Sequence, residues 1–298
     1  MTRASSVLVL LALTVGCGPY NAPPPEPMAP PGTPPPATAG DSDAGAEGKL
    51  PPPEGPLVIE PAPPPAPVER MPKIAFTAPK PNEAIAPDKA ENFEVRLDVR
   101  DWYLSPGDHV HLVLDNRPYK ALEDGRTSIR LGEVFPAEPL AEGQHTMFAF
   151  PARADHVAVK PHEVSQAAKK GDAVPLGAVT FWVGKVGKPN YKLGDPAIIY
   201  SRPKGTYNGR ETESLLLDFY LANASIGNGR GSVQATVTPH EGTPVSAKLT
   251  SWSPMLVKNL PSGPARILLE LRDKDDQPVP GPYARAEREI SINREANR

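Results

Sequence analysis

Apolar and polar residues alternate with a period of two along much of the chain after residue 73. The alternation is clearest where Phe93, Val95, Leu97 and Val99 are separated by charged residues. The same period recurs at residues 110–114, 179–183, 215–221, 233–237, 267–271 and 290–292. Successive side chains of a strand point to opposite faces, so each run predicts a strand with one face in a core. We therefore predict an all-β protein.

The alternating pattern occurs twice along the chain. Several residues recur 120 positions later: Leu97-Asp98 at Leu217-Asp218, Leu140 at Leu260, and Gly143 at Gly263. A fixed offset of this kind indicates a duplicated domain. We predict two domains of one fold, over residues 73–185 and 186–298, each of a size at which independent folding is common.

Short strands at regular spacing, with turn residues between them, are typical of antiparallel β-sandwiches. An immunoglobulin-like topology fits units of about 100 residues each. The chain has a single cysteine, so the disulfide of antibody domains is excluded, but fibronectin-like variants do without one. The predicted fold is two tandem immunoglobulin-like antiparallel β-sandwiches.

Residues 17–72 have a different composition, because they contain twenty of the 41 prolines of the chain. Such a stretch cannot bury enough apolar surface to offset the entropy of ordering it. We predict a disordered, proline-rich stalk that holds the domains away from a surface, with the folded part beginning near Lys73.

The N-terminus has the features of a secretion signal over residues 1–16. Arg3 supplies a positive charge, residues 7–15 are apolar apart from Thr14, and the small residue Gly16 precedes Cys17. The apolar run is too short to cross a bilayer core, which needs about 20 helical residues. The alternatives for this segment are a lipoprotein signal and an ordinary cleaved signal.

Residues Thr14-Val15-Gly16-Cys17 resemble the lipobox of bacterial lipoproteins. The resemblance implies that Cys17 is the lipid attachment site and that the membrane is the first partner of this protein. Gly18 follows the cysteine where an aspartate would favour the inner membrane, so the resemblance implies an outer-membrane location. The expected place is therefore the cell envelope.

The charge of the chain argues against nucleic acid as a partner. The formal net charge is −3, and most of the imbalance lies in the stalk, where seven acidic residues face only Lys49 and Arg70. Nucleic-acid binding depends mainly on lysine and arginine side chains that neutralise phosphates. Since no basic run is present, we predict no nucleic-acid partner.

Four histidines of the first predicted domain are candidate metal ligands. His109 and His111 lie on one face of a predicted strand, and His145 and His156 lie on neighbouring elements. Imidazoles with this spacing suit copper or zinc. The competing interpretation is that they bond to backbone and turns on a half-exposed strand. We predict no metal or other cofactor, and retain the four residues as candidates.

Catalytic motifs are absent from the sequence. No serine lies in a Gly-x-Ser-x-Gly turn, and no glycine-rich phosphate loop precedes a helix. We therefore predict that the protein is not an enzyme. Several aromatic residues could bind sugar rings or fill the cores: Trp102, Tyr103, Tyr119, Tyr207 and Trp252.

Five stretches resemble an uncharacterised group of bacterial envelope proteins. In the first domain these are residues 107–119 and 142–146, and in the second domain they are residues 200–207, 218–221 and 270–273. The resemblance implies the fold and an exported location, and supplies no catalytic residues. The favoured hypothesis is a lipid-anchored envelope protein with a non-enzymatic binding or structural role. The alternatives are a periplasmic metal-binding protein and a glycan-binding module.

Overall fold

The computed structural model describes residues 52–103, 107–134, 139–163 and 175–295 of the 298-residue chain. The predicted signal, Cys17 and most of the predicted stalk lie outside the described residues. Strands account for most of the regular structure, as the alternating pattern predicts. Within these ranges, no helix combines the length and apolar character that crossing a membrane requires.

The strands of the first half that fall in the described ranges are β1 (Val58–Pro61), β2 (Lys73–Ala78), β3 (Ala84–Ile85), β4 (Glu94–Arg100), β5 (His109–Leu114), β6 (Lys120–Leu122), β7 (Ser128–Arg130), β8 (Gly143–Ala152) and β9 (Gly177–Val183). Those of the second half are β10 (Ala197–Arg202), β11 (Gly205–Asn208), β12 (Ser214–Ala222), β13 (Gly231–Thr238), β14 (Val245–Leu249), β15 (Met255–Lys258), β16 (Gly263–Asp273) and β17 (Arg285–Asn293). The helical elements are short: α1 (Pro87–Ala90), α2 (Leu131–Val134), and 3₁₀ turns at Pro161–Glu163 and Gly209–Thr212.

Strands β2 to β9 form the first sandwich. One sheet has the order β2-β4-β7, and the other has the order β3-β9-β8-β5-β6. All pairs are antiparallel except β3 with β9. Buried side chains from both sheets, including Val95, Leu112, Met147 and Phe181, meet between them. The first domain is therefore an immunoglobulin-like sandwich.

Strands β10 to β17 repeat this plan in the second sandwich. The orders are β15-β12-β10 in one sheet and β11-β17-β16-β13-β14 in the other, and β11 with β17 is again the parallel pair. Gly143 and Gly263 begin the equivalent strands β8 and β16 with φ values of 139° and 116°. Glycine adopts such angles readily, which explains why it recurs at this offset. The fold prediction is confirmed.

The start of the folded part was predicted too late in the chain. Strand β1 pairs antiparallel with β15, so that Val58 lies opposite Lys258 and Pro61 lies opposite Met255. Leu57 and Ile59 pack against the core of the second sandwich. Apolar burial therefore outweighs the local proline content, and an edge strand tolerates proline because one side of it makes no sheet hydrogen bonds. The boundary at residue 72 is corrected accordingly.

The two sandwiches share a third apolar core. It contains Val113, Phe148 and Phe150 from the first sandwich and Ile199 and Tyr220 from the second. All six residues of β5 are buried, because one of its faces lies in the first core and the other lies against the second sandwich. The two sandwiches thus pack as one body.

Polar groups also cross this interface. The side chains of Lys160 and Asp218 are both 0% exposed, and Lys160 Nζ lies 2.8 Å from Asp218 Oδ1. Asn116 donates from Nδ2 to the carbonyl of Ile198 and accepts from the N–H of Tyr200, each at 2.8 Å. Buried polar groups need such partners, so these bonds fix how the two sandwiches meet.

Candidate metal centre

Three of the four candidate histidines converge in the structure. His109 Nε2 lies 2.8 Å from His111 Nε2 and 3.0 Å from His156 Nδ1. One ligand atom from each of the three lies within 4.8 Å of the others. Among the described residues, this is a cluster of imidazoles without a carboxylate or thiolate.

The alternation of β5 directs two of these histidines toward the second sandwich. Val110, Leu112 and Leu114 point into the first core, so His109 and His111 point the opposite way. They are 1% and 0% exposed. The prediction that they lie on a half-exposed strand is therefore wrong, because the second sandwich covers the face that a single sandwich would leave open.

His156 reaches the cluster from the turn that follows β8. Its N–H donates to the carbonyl of Arg153 at 2.7 Å, and the N–H of Arg153 donates to the carbonyl of Val157 at 3.0 Å. The Asp155 side chain accepts from the N–H of Val157. These bonds hold His156 at a φ of 66°, which is uncommon for a residue other than glycine. The turn thereby brings the imidazole beside His109.

His145 is not part of the cluster, so the four-histidine site is corrected to three. Its Nδ1 donates to Asp115 Oδ2 at 2.6 Å, and its Nε2 donates to the Ala141 carbonyl at 2.8 Å. Burial lowers the pKa of His145, but the bonds to Asp115 and Ala141 outweigh it, and the pKa is raised. With both ring nitrogens donating, His145 offers no lone pair to a metal.

Bonds on the far side of the His109 and His111 rings orient their metal-facing nitrogens. His109 Nδ1 donates to the Gly107 carbonyl at 2.7 Å, which leaves a lone pair on Nε2 of the neutral ring. His111 Nδ1 shares a hydrogen bond of 3.0 Å with Ser201 Oγ of the second sandwich. Such outer bonds are typical of metal-ligating histidines.

The surroundings of the cluster favour neutral imidazoles. Burial, followed by the nearby His109 and His156, lowers the pKa of His111 well below its usual value. Burial, followed by the charge of Arg202, lowers the pKa of His156 to about 4. These two histidines are therefore unprotonated at neutral pH, as a metal ligand must be.

Two basic side chains of the second sandwich lie beside the cluster. The Tyr119 ring stacks on His111 with centroids 3.5 Å apart. Lys204 Nζ lies 3.6 Å from the centroid of the Tyr119 ring and donates to the Tyr119 carbonyl at 2.8 Å. Arg202 lies 5.5 Å from the same centroid. The histidines thus come from one sandwich and the nearest cations from the other.

The geometry of the cluster fits a metal ion bound by nitrogen. Zinc or copper binds imidazole at about 2.0–2.1 Å, so two ligating nitrogens in a tetrahedral site are about 3.3 Å apart. Two of the three separations, 2.8 and 3.0 Å, are a few tenths of an ångström shorter than this, and the ligand atoms of all three residues lie within 4.8 Å of one another. The imidazoles would have to rotate to surround an ion evenly, and their donor chemistry fits one.

The aromatic residues considered for glycan binding do not form an exposed platform. Tyr103 is 83% exposed, whereas Tyr119 is buried against His111. The indole N–H of Trp102 donates to the His109 carbonyl, and that of Trp252 donates to the Phe219 carbonyl. Trp102, Tyr119 and Trp252 pack within the protein, as the core interpretation predicts, whereas Tyr103 does not.

Sequence reasoning missed the contribution of the second sandwich to this site. Ser201, Arg202 and Lys204 lie in the stretch 200–207, and His109, His111 and Tyr119 lie in the stretch 107–119. Both stretches were singled out by their resemblance to envelope proteins, and the structure brings them together at one interface. Nothing in their local pattern indicates that contact.

The sequence matches no protein-family model and no curated protein. Solved structures with a similar arrangement include the fibronectin(III)-like modules of Clostridium thermocellum CbhA, at 13% identity and a TM-score of 0.25, covering 74% of this chain and 94% of that one. A two-domain fibronectin type III segment of chicken tenascin is similar at 14% identity and a TM-score of 0.23, covering 74% and 99%. The function must therefore be argued from the geometry of the site.

Proposed function

We propose that this protein is an exported, lipid-anchored, non-enzymatic protein of the cell envelope that binds one copper or zinc ion between its two sandwiches. The convergence of His109, His111 and His156 carries the metal-binding part of the proposal. Two of these side chains are almost fully buried, so a bulky substrate cannot reach them. The site therefore suits holding an ion better than catalysis.

Metal analysis of untagged protein tests the site. We expect one equivalent of copper or zinc per chain, and a loss of bound metal in His109→Ala and His111→Ala, because three imidazoles are the minimum donor set here. His240→Ala is the matched control, since His240 is an exposed residue outside the cluster. His145→Ala should also retain the ion, because His145 bonds to Asp115 and Ala141.

Two results would contradict this site. One is wild-type protein that binds no metal ion after incubation with copper or zinc. The other is metal that stays bound in equal amount when His109 and His111 are replaced, with circular dichroism showing that the variants are folded.

The anchor is the second part of the proposal. It rests on the lipobox-like sequence before Cys17, and Gly18 favours the outer membrane over the inner one. Acyl chains stabilise membrane attachment by about 0.8 kcal/mol for each buried methylene group. Cell fractionation tests it: Cys17→Ser should move the protein from the membrane to the soluble fraction, and an unchanged membrane fraction would reject the anchor.

Contact with another envelope component is the third part of the proposal. The shared core between the sandwiches gives a stiff body suited to holding or spacing a partner. Crosslinking in intact cells, followed by identification of the attached proteins, tests this role. If the same crosslinks form in Cys17→Ser, contact with the partner does not require membrane attachment. If they are lost, it does.

A further inference from the structure

The charges around the histidine cluster are unequal in sign. Lys204 is separated from His111 by the Tyr119 ring alone, so its ammonium lies no more than about 7 Å from the imidazole, where the repulsion of a bound cation is strong in a buried site. Arg202 lies against the same ring. Burial, followed by the charge of Arg202, lowers the pKa of Lys204 to about 8, so its ammonium is still mostly protonated at pH 7, and the two side chains place positive charge beside the three ligands.

Negative charge near the cluster is weaker. Asp155 is the carboxylate that acts on His156. It raises the pKa of His156 by less than Arg202 or Lys204 lowers it. Its Oδ1 already accepts the N–H of Val157. The carboxylate of Asp115 is engaged by His145, and that of Asp218 by Lys160. A bound ion would thus meet three neutral ligands and a net positive environment.

The charge of the ion decides how much this environment opposes binding. At a given distance, a dication meets twice the Coulomb repulsion that a monocation meets. With three nitrogen ligands, zinc takes a water molecule as its fourth ligand, and the burial of His109 and His111 leaves little room for one. A d¹⁰ monocation such as copper(I) makes no comparable demand for a fourth protein ligand. Both considerations point to the same ion.

We infer that the site formed by His109, His111 and His156 selects a monovalent d¹⁰ ion, copper(I) in the cell, against zinc, and that Arg202 and Lys204 supply the discrimination. The inference rests on the proposed metal site and names the ion that it takes. Arg202 and Lys204 act on the ion through space and are not ligands.

Equilibrium titration of the full mature chain tests the inference. The probes are copper(I) under anaerobic conditions, silver(I) as its redox-inert analogue, and zinc(II), each in competition with a chromophoric chelator. Wild-type protein should bind one silver(I) or copper(I) ion per chain at least about tenfold more tightly than zinc(II), since the two neighbouring cations oppose the dication twice as strongly. His111→Ala should lose the silver(I).

Neutralising the nearby charges gives the sharper measurement. In Lys204→Met and Arg202→Gln, the affinity for both ions should rise, and the logarithm of the increase should be about twice as large for zinc(II) as for silver(I). Lys248→Met is the matched control, because Lys248 pairs with Asp276 at the surface of the second sandwich. It should change neither affinity. Thermal melts would show whether each variant is folded.

The outcomes separate this inference from the proposed function. Stoichiometric zinc(II) bound more tightly than silver(I) would overturn the selection of a monocation while leaving a metal site in place. Equal gains for both ions in Lys204→Met and Arg202→Gln would overturn the assignment of the discrimination to these two side chains. Wild-type protein that binds neither ion would overturn both. If Lys204→Met does not fold, the comparison of the three ions on wild-type protein still tests the selection of a monocation. Arg202→Gln then tests whether the neighbouring charge supplies it.

Discussion

His109 and His111 show how one residue type depends on its surroundings. On an isolated sandwich their face of β5 would meet water, and the His111 imidazole would have an ordinary pKa. In the protein the second sandwich covers them, and the pKa of His111 falls because burial disfavours the charged ring. The chemistry of the site is therefore created by an interface.

The stability of the metal-free protein should fall as the pH is lowered from 7 to 5. The pKa of His156 is lowered to about 4, whereas an unfolded histidine titrates near 6.5, so between these values the unfolded chain binds more protons than the folded one. His111 acts in the same direction. His145 acts in the opposite direction, because its pKa is raised, and its contribution is lost as the pH rises through that value.

Chemical denaturation at both pH values measures this effect. His156→Asn should lose less stability between pH 7 and pH 5 than wild type, since asparagine tolerates the positive φ but does not titrate. His240→Asn is the control and should behave like wild type. Equal losses in wild type and His156→Asn would contradict the assignment.

At the scale of elements, β1 is the clearest departure from the sequence pattern. Its four residues extend the β15-β12-β10 sheet, in the order β1-β15-β12-β10, although they precede the first sandwich in the chain. Lys258 Nζ lies 2.6 Å from Glu60 Oε1 across this pair, and the N–H of Ala62 donates to the Pro254 carbonyl. The end of the predicted stalk is thus tied to the second sandwich.

Replacing Ile59 should weaken the attachment of β1. Ile59 packs against the core of the second sandwich, so Ile59→Ala should lower the free energy of unfolding by about 1–2 kcal/mol. Hydrogen exchange should accelerate at Met255–Lys258, which β1 covers, and not at Glu94–Arg100 of the first sandwich.

Glu60→Gln is the matched control for that experiment, because it removes only the exposed ion pair with Lys258. Exposed pairs contribute at most about 1 kcal/mol. If Ile59→Ala left both the stability and the exchange at β15 unchanged, β1 would not be part of the folded body in solution.

At the scale of the whole molecule, the interface between the sandwiches behaves like the interior of a single domain. It contains stacked aromatic rings, such as Phe150 and Tyr220 with centroids 4.8 Å apart, and the buried pair of Lys160 and Asp218. Removing one partner of a buried ion pair leaves an uncompensated charge, which costs more than the pair itself contributes. The pair therefore makes the docking of the sandwiches specific.

Lys160→Met should destabilise the protein by about 3–5 kcal/mol, because Asp218 would remain buried without its partner. The double variant Lys160→Met with Asp218→Leu should recover part of that loss, since neither charge then remains. Lys248→Met, which breaks an exposed pair, should cost at most about 1 kcal/mol. Urea unfolding measures all three, and a single variant no less stable than the double would refute a buried pair.

The strand pattern, the duplication and the candidate lipid site follow from the order of residues alone, because each depends on a simple pattern: a period of two, an offset of 120 residues, and the residues around Cys17. The sequence also identified the three histidines that converge. It grouped His145 with them, although His145 bonds to Asp115, thirty residues earlier in the chain. Two other features are visible only in the folded protein: β1 joins the second sandwich, and Lys204 faces the Tyr119 ring beside His111. These contacts join segments more than 80 residues apart, and no local pattern of apolar and polar residues specifies which distant surface will cover a given face.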